Sequence, residues 1–248
     1  MEVINIRDIK KGDYFNFGAF SNVYKVEIDG KMYAYKEYKK SINLIVKNIV
    51  SELTEEDYSG CFLTPKYLIE SSSGQNILGY LSEYDNNLKD IDDIFDKSKK
   101  IRLLKNAKEI LIRWHNESKR IHGDINSSNM LFDEEKEKSY FLDFDTSLKI
   151  NTKFNKNYDI DDFPFSDYVY EYLAYYPFNE EIDTYMFNLT TLLILSNKSS
   201  FLDLMEVIRF EKLDIIKENK DVKRLSKKLL FIDTKKSFGK DYIIDYIN

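Results

Sequence analysis

The sequence predicts an α+β chain in two parts: a small antiparallel sheet with one helix, followed by a larger, mostly helical part. Three observations lead there. The first 84 residues carry short β-branched and aromatic runs broken by turn signals, Asp29-Gly30 foremost. Beyond them, Lys99–Lys119 and Glu181–Ser196 are rich in apolar residues, and the first shows a clear helical stripe. Between these helices, the apolar runs Met130–Phe132 and Tyr140–Leu142 flank the charged stretch Asp133–Ser139, the pattern of a β-hairpin.

The elements follow in chain order. Asn16–Val26 reads as strand, turn, strand, and Lys31–Tyr38 resumes as a strand whose period of two puts Met32, Ala34 and Lys36 on one face. Ile42–Asp57 has Ile42, Ile45, Val46, Ile49 and Leu53 at helical spacing. Pro65–Ser71 and Asn76–Glu83 read as two strands joined by a polar turn. Leu88–Phe95 reads as a short helix. Lys99–Lys119 is a longer one, with Leu103, Leu104, Ala107, Ile110, Leu111 and Trp114 in its stripe. Trp114 and His115 are expected to pack rather than to ligate. Phe201–Phe210, Asp221–Phe231 and Gly239–Ile247 complete the helical part. The parts are expected to span 1–84 and 85–248.

The chemistry concentrates at Ile121–Asp145. His122-Gly123-Asp124 opens an Asp-x-x-x-x-Asn spacing that ends on Asn129, just before the first hairpin strand. Asp143-Phe144-Asp145 follows the second strand. An amide oxygen and a carboxylate then stand at one edge of one hairpin. Hard oxygen ligands of this kind suit Mg²⁺, which keeps waters and phosphate oxygens in the rest of its shell. Asp124, on the loop leading in, is placed to take or orient the proton of an attacking hydroxyl.

Composition sets limits on function. The balance of 37 basic against 43 acidic residues, net −6, argues against a nucleic-acid partner, because neutralising phosphates needs a basic surface. A hydrophobic content of 43% with 15% aromatics supplies a sizeable core. The single cysteine, Cys61, forms no internal disulfide, so a reducing cytoplasm is the expected compartment. The amino-terminal stretch lacks a signal-peptide pattern, and the longest apolar run, near Leu189–Leu195, is too short to cross a membrane.

Taken together, His122-Gly123-Asp124, Asn129, the hairpin and Asp143-Phe144 resemble the catalytic core of the protein-kinase-like superfamily. The resemblance implies a bilobal fold, with ATP and Mg²⁺ as cofactors. It implies that Asp124 is the catalytic base, that Asn129 and Asp143 bind metal, and that His122 anchors the loop. Upstream, Gly18 matches the middle glycine of the family's phosphate-covering loop, while Asn16 and Ser21 stand where two others would be. Val23 and Ala34 match the roof over adenine, and Lys36 the lysine on the α- and β-phosphates. A helix glutamate should pair with Lys36: Glu52 first, with Glu55 and Glu56 as alternatives. Glu83 through Asp85 match the hinge, which binds adenine by main chain, and Leu131 matches the pocket floor. Asp183-x-Tyr185 resembles the start of the central helix whose aspartate holds the catalytic loop.

Departures from the family pattern bear on mechanism. Gly123 replaces the arginine that many regulated protein kinases pair with an activation-segment phosphate. Asn126 replaces a lysine that neutralises the moving phosphoryl group. Asp145 replaces a glycine, and its carboxylate is expected either to touch metal or to face solvent, with solvent slightly favoured. The aromatic segment Thr146–Phe178 matches the substrate platform. Its Asp159, Asp161, Asp162 and Asp167 could dock a cationic substrate, though solvated acids over aromatic packing is the plainer reading. Three functions are therefore carried forward. One is a Ser/Thr protein kinase with a protein substrate, favoured by the long Asp143–Asp183 interval. The second is a kinase of a small cationic alcohol or aminoglycoside, suggested by His-Gly-Asp. The third is a nucleotide-binding pseudokinase.

Overall fold

A computed structural model of the chain describes residues 2–17, 20–56, 58, 60–150, 179–198, 201–209, 213–229 and 239–247. These fall into two compact units. The first takes residues up to 87 together with 142–146, and the second takes 88–141 with the described residues from 147 onward.

In chain order the first unit contains β1 (Val3–Asn5), β2 (Lys11–Phe17), β3 (Ser21–Ile28), β4 (Lys31–Tyr38), helix α1 (Leu44–Glu55), β5 (Phe62–Leu63), β6 (Tyr67–Glu70) and β7 (Ile77–Glu83). Six of the strands form one sheet in the order β1-β6-β7-β4-β3-β2. The β3–β4 hairpin turns on Asp29 and Gly30, both at positive φ (49° and 75°). That is the geometry a two-residue turn needs to match strand twist, and the reason Asp-Gly signals it.

Alternation along β4 divides its two faces. Tyr33 and Tyr35 are buried and pack with Val26, Ile69 and Leu81. On the opposite face, cross-strand register aligns Val23, Lys36 and Tyr80, and sets Ala34 beside Ser82. Directly opposed residues share a face, so Val23, Ala34, Lys36, Tyr80 and Ser82 lie on one side of the sheet. α1 covers part of that side. The Asn43 side chain accepts a hydrogen bond from the Val46 amide at 2.8 Å and caps the helix. Val46 and Val50 then pack with Leu68 and Tyr80, with Tyr38 against the same cluster. β7 approaches β4 so closely at Gly79 that a Cβ there would lie 1.9 Å from the carbonyl oxygen of Lys36.

The second unit contains β8 (Leu88–Asp90), helix α2 (Lys97–Ser118), β9 (Met130–Asp133), most of β10 (Lys138–Leu142) and helices α3 (Glu180–Ser196), α4 (Phe201–Arg209), α5 (Asp214–Glu218) and α6 (Lys220–Leu229). β9 pairs antiparallel with both β8 and β10. α2 starts on an Asp96 cap and ends at Lys119 in the left-handed conformation (φ 56°). Its stripe from Ile101 to Trp114 is buried. α3 is buried all round from Ile182 to Leu192, as a central helix should be.

Three elements differ from the sequence expectation. Leu88–Phe95 is not one helix: Leu88–Asp90 pairs with β9, a 3₁₀ turn covers Ile91–Asp93, and Phe95 is 95% exposed. Strand pairing with β9 satisfies the backbone more fully than one short turn of helix would. Gly239–Ile247 holds only a 3₁₀ turn, Ile243–Tyr246, whose Ile243 and Ile244 are buried. β1, too short to show a period, pairs parallel with β6. No helix among the described residues is long and apolar enough to cross a membrane.

Candidate active site

In the first unit, a cationic amine meets two carboxylates. β10 delivers the chain to Asp143, whose backbone is left-handed (φ 66°). The 3₁₀ turn Phe144–Thr146 follows. Phe144 is fully buried, its ring edge-on to Phe62 with centroids 6.3 Å apart. With that ring as the pin, the carboxylates on either side of it both reach Lys36. The ammonium pairs with Asp143 Oδ1, and its Nζ lies 2.8 Å from Asp145 Oδ2. The Tyr38 hydroxyl donates to the same Asp145 oxygen at 3.1 Å, and the Tyr80 hydroxyl stands 3.5 Å from Asp143 Oδ1.

The electrostatics follow from this packing. Burial disfavours the charge on Lys36, but the carboxylates of Asp143 and then Asp145 outweigh it and hold the amine pKa well above its ordinary value. Burial, reinforced by the Asp143 charge and opposed by Lys36, pushes the Asp145 carboxyl up to about 6. Burial, with Asp145 next in weight, also raises the Tyr38 phenol well above its usual range. That hydroxyl therefore keeps its proton and stays a donor.

Two expectations need correction here. Asp145 does not face solvent: it is 4% exposed, because the buried Phe144–Thr146 turn carries it inward to Lys36 and Tyr38. And among the described residues, the carboxylates paired with Lys36 are Asp143 and Asp145; Glu52, on α1, is not one of them. Two buried acids already neutralise the amine, which removes the drive for a third.

The remaining positions expected to bind nucleotide are placed as follows. Val23 and Ala34 share the Lys36 face. Gly18 lies outside the described residues, as do 151–178, including the acids of the expected substrate platform. Glu83 ends β7, and its side chain bonds Lys31 at 2.9 Å on the rim of an open cavity of about 340 Å³ lined also by Tyr33, Lys66 and Tyr67. Asp85 accepts from the Asn87 amide at 2.9 Å, closing a turn after β7. Leu131 sits in β9 of the second unit, half-buried.

That unit also holds the loop from Ile121 to Asn129, suspended from one buried carboxylate. Asp183, near the start of α3 and fully buried, accepts from the backbone amides of His122 (2.6 Å) and Gly123 (2.9 Å). His115 Nε2 lies 2.7 Å from the same carboxylate. Burial alone would raise the Asp183 pKa, but His115, His122 and the Gly123 amide together hold it below the ordinary carboxylate value. Gly123 has φ 86°, a conformation that an arginine side chain there would strain. The segment following the Phe144–Thr146 turn braces the loop from its other side: Ser147 Oγ donates to the Ile121 carbonyl at 2.6 Å, and the Ile121 amide to the Leu148 carbonyl at 2.9 Å.

At the loop's tip, Asn129 Nδ2 donates to Asp124 Oδ2 at 2.8 Å and to the Asp124 carbonyl at 2.9 Å. Asn126 Nδ2 reaches Asp124 Oδ1 at 3.2 Å, while its own carbonyl accepts from the Ser128 amide at 3.0 Å and the Asn129 amide at 3.2 Å. Asp124 is thus oriented by two amides. The capping by Asn126 was not foreseen, although an asparagine immediately before a short turn, here Ser127–Asn129, is a usable signal. His115 was expected to pack, but its bond to Asp183 was not foreseen, and Tyr38 was missed. Tyr38 could have been found, since it lies two residues along the strand from Lys36 and so on the same face.

In the first unit, Asp143 offers a carboxylate oxygen of the kind that suits Mg²⁺; in the second unit, Asn129, with its amide nitrogen engaged by Asp124, has a carbonyl oxygen of the same hard type. Lys36 supplies a fixed positive charge for phosphate oxygens.

No known protein-family profile matches the chain, and no curated protein matches it. Solved structures do. The chain has a protein-kinase-like fold, with a sheet-rich first part and a helical second part. It is similar to the crystal structure of the BubR1 kinase domain, with a TM-score of 0.52 and 20% identity over 77% of this chain. It spans 62% of that structure's length.

Proposed function

We propose that the protein is an ATP- and Mg²⁺-dependent phosphotransferase that moves the γ-phosphoryl group of ATP to a hydroxyl, with a Ser or Thr side chain of a protein as acceptor. The observation that carries this reading is the ion pair of Lys36 with Asp143, residues 107 positions apart in the chain. In protein kinases a lysine and an aspartate at these motif positions both serve a metal-bound triphosphate, so their meeting supports such a site here.

Each residue then has a task. Lys36 holds the α- and β-phosphates. Asn129 and Asp143 hold the metal, which when bound neutralises charge on the phosphate oxygens. Asp124 orients the acceptor hydroxyl and receives its proton as the new oxygen–phosphorus bond forms and the bond to the β-phosphate oxygen breaks. Asn126 and Asn129 keep the Asp124 carboxylate aimed, and Asp183 keeps the loop in register. The single cysteine, Cys61, is buried and free, which fits a reducing cytoplasm.

A second reading, a nucleotide-binding module without turnover, is favoured by one observation: Lys36 is engaged by two carboxylates at once. Incubation with γ-labelled ATP and Mg²⁺ separates the readings. The acceptors are Ser/Thr peptides, the protein itself and a panel of amino alcohols. Label on protein or peptide, lost in Asp124→Ala, is the expected result. Label on amino alcohols alone moves the substrate class to small cations, and nucleotide binding with no label anywhere supports the binding module.

A further inference from the structure

We propose that Asp145 is the residue that positions Lys36, taking the task that the family resemblance gives to a glutamate on α1. The assignment rests on the phosphotransferase reading above and names a residue that reading does not use.

The geometry is specific. Lys36 Nζ lies 2.8 Å from Asp145 Oδ2, and the carboxylate is itself held by the Tyr38 hydroxyl at 3.1 Å. Lys36 and Tyr38 are alternate residues of β4, so one strand face presents the amine and the hydroxyl side by side. Asp145 cannot swing away freely. It sits in a 3₁₀ turn between Phe144 and Thr146, and all three side chains are buried. Phe144 is anchored on Phe62.

Asp143 cannot do the same work. A carboxylate that binds a metal must spend its lone pairs on the metal, and an amine tied to it alone would lose its restraint when the cation arrives. A second carboxylate that stays on the amine keeps Lys36 aimed while Asp143 turns to its ligand. Glu52 is not among the carboxylates paired with Lys36 among the described residues. The glycine that this family resemblance expects at 145 offers no carboxylate, so the change from glycine to aspartate is what puts the second carboxylate on the amine.

The test is a double-mutant cycle on the full chain. ATP affinity and single-turnover transfer are measured for wild type, Asp145→Asn, Asp145→Gly and Glu52→Gln, each with and without Lys36→Met. Thermal melting runs in parallel, to separate loss of fold from loss of positioning. Asp145→Asn and Asp145→Gly are expected to lower kcat/KM for ATP at least about tenfold when Lys36 is present, and to add less than about twofold when Lys36 is already methionine. Glu52→Gln is expected to lose less than either. Asp145→Glu should recover part of the loss. Additive effects of Asp145 and Lys36, or a larger loss from Glu52→Gln than from Asp145→Asn, overturn the assignment. A wild type that binds ATP without transferring it overturns only the phosphotransferase reading, because the same cycle read in binding affinity still decides the role of Asp145. A wild type that binds no nucleotide overturns both.

Discussion

His115 on α2 and Asp183 on α3, 68 positions apart, meet at 2.7 Å in the buried interior of the second unit. The same carboxylate holds the amides of His122 and Gly123, so one side chain ties two helices to the loop that carries Asp124.

Asp183→Asn should therefore cost about 3 kcal/mol of stability, the order expected when one partner of a buried, hydrogen-bonded pair is neutralised. It should also slow turnover by loosening the Asp124 loop. The pH dependence has a definite sign. The folded-state pKa of Asp183 lies below its unfolded value. Its contribution is thus complete above the unfolded value of about 4 and is lost as pH falls through the lower folded value. Urea denaturation of wild type and Asp183→Asn across the acid range checks this: the difference between them should shrink below about pH 4.

Gly79→Ala tests the spacing of the sheet under Lys36. Its new Cβ would stand 1.9 Å from the Lys36 carbonyl oxygen, a backbone atom that cannot rotate away. β7 and β4 must then separate, at a cost of about 2–3 kcal/mol, and Lys36 must shift with its strand. Chemical denaturation should show that loss, and ATP affinity should fall with it. Gly30, whose Cβ would meet open space but whose φ is 75°, should lose stability on substitution by alanine without loss of affinity.

Restoring the family residue at 126 should not help. Asn126 caps the turn at Ser128 and Asn129 and also reaches Asp124. Asn126→Lys supplies a positive charge for the moving phosphoryl group but removes the cap. It should lower stability by about 1 kcal/mol and reduce kcat rather than raise it. Thermal melting and single-turnover transfer measured on one preparation check both halves.

Much of the frame was legible in the sequence, for physical reasons that particular residues show. β4 follows from a run of strand-favouring residues after the Asp29-Gly30 turn, and its observed span, Lys31–Tyr38, is the expected one. The meeting of Lys36 with Asp143 is what the resemblance to the protein-kinase-like superfamily implied. What the sequence hid were facts decided by tertiary contact. Leu88, Ile91 and Ile94 have a helix-like spacing, yet pairing with β9 turns Leu88–Asp90 into strand. Nothing near Asp145 marks it as buried, since its burial depends on Phe144 finding Phe62, which lies far away in the chain. Glu52 fits the helix stripe as well as any acid there, and only the turn at 144–146 decides which carboxylates reach the amine.

The most direct measurement is the single-turnover rate of γ-phosphoryl transfer in Asp124→Asn, a near-isosteric change, alongside its ATP affinity. The account predicts a fall of at least about a hundredfold in rate, the lower end of what a positioned base contributes, with ATP affinity within about twofold of wild type. An unchanged rate in Asp124→Asn would contradict it.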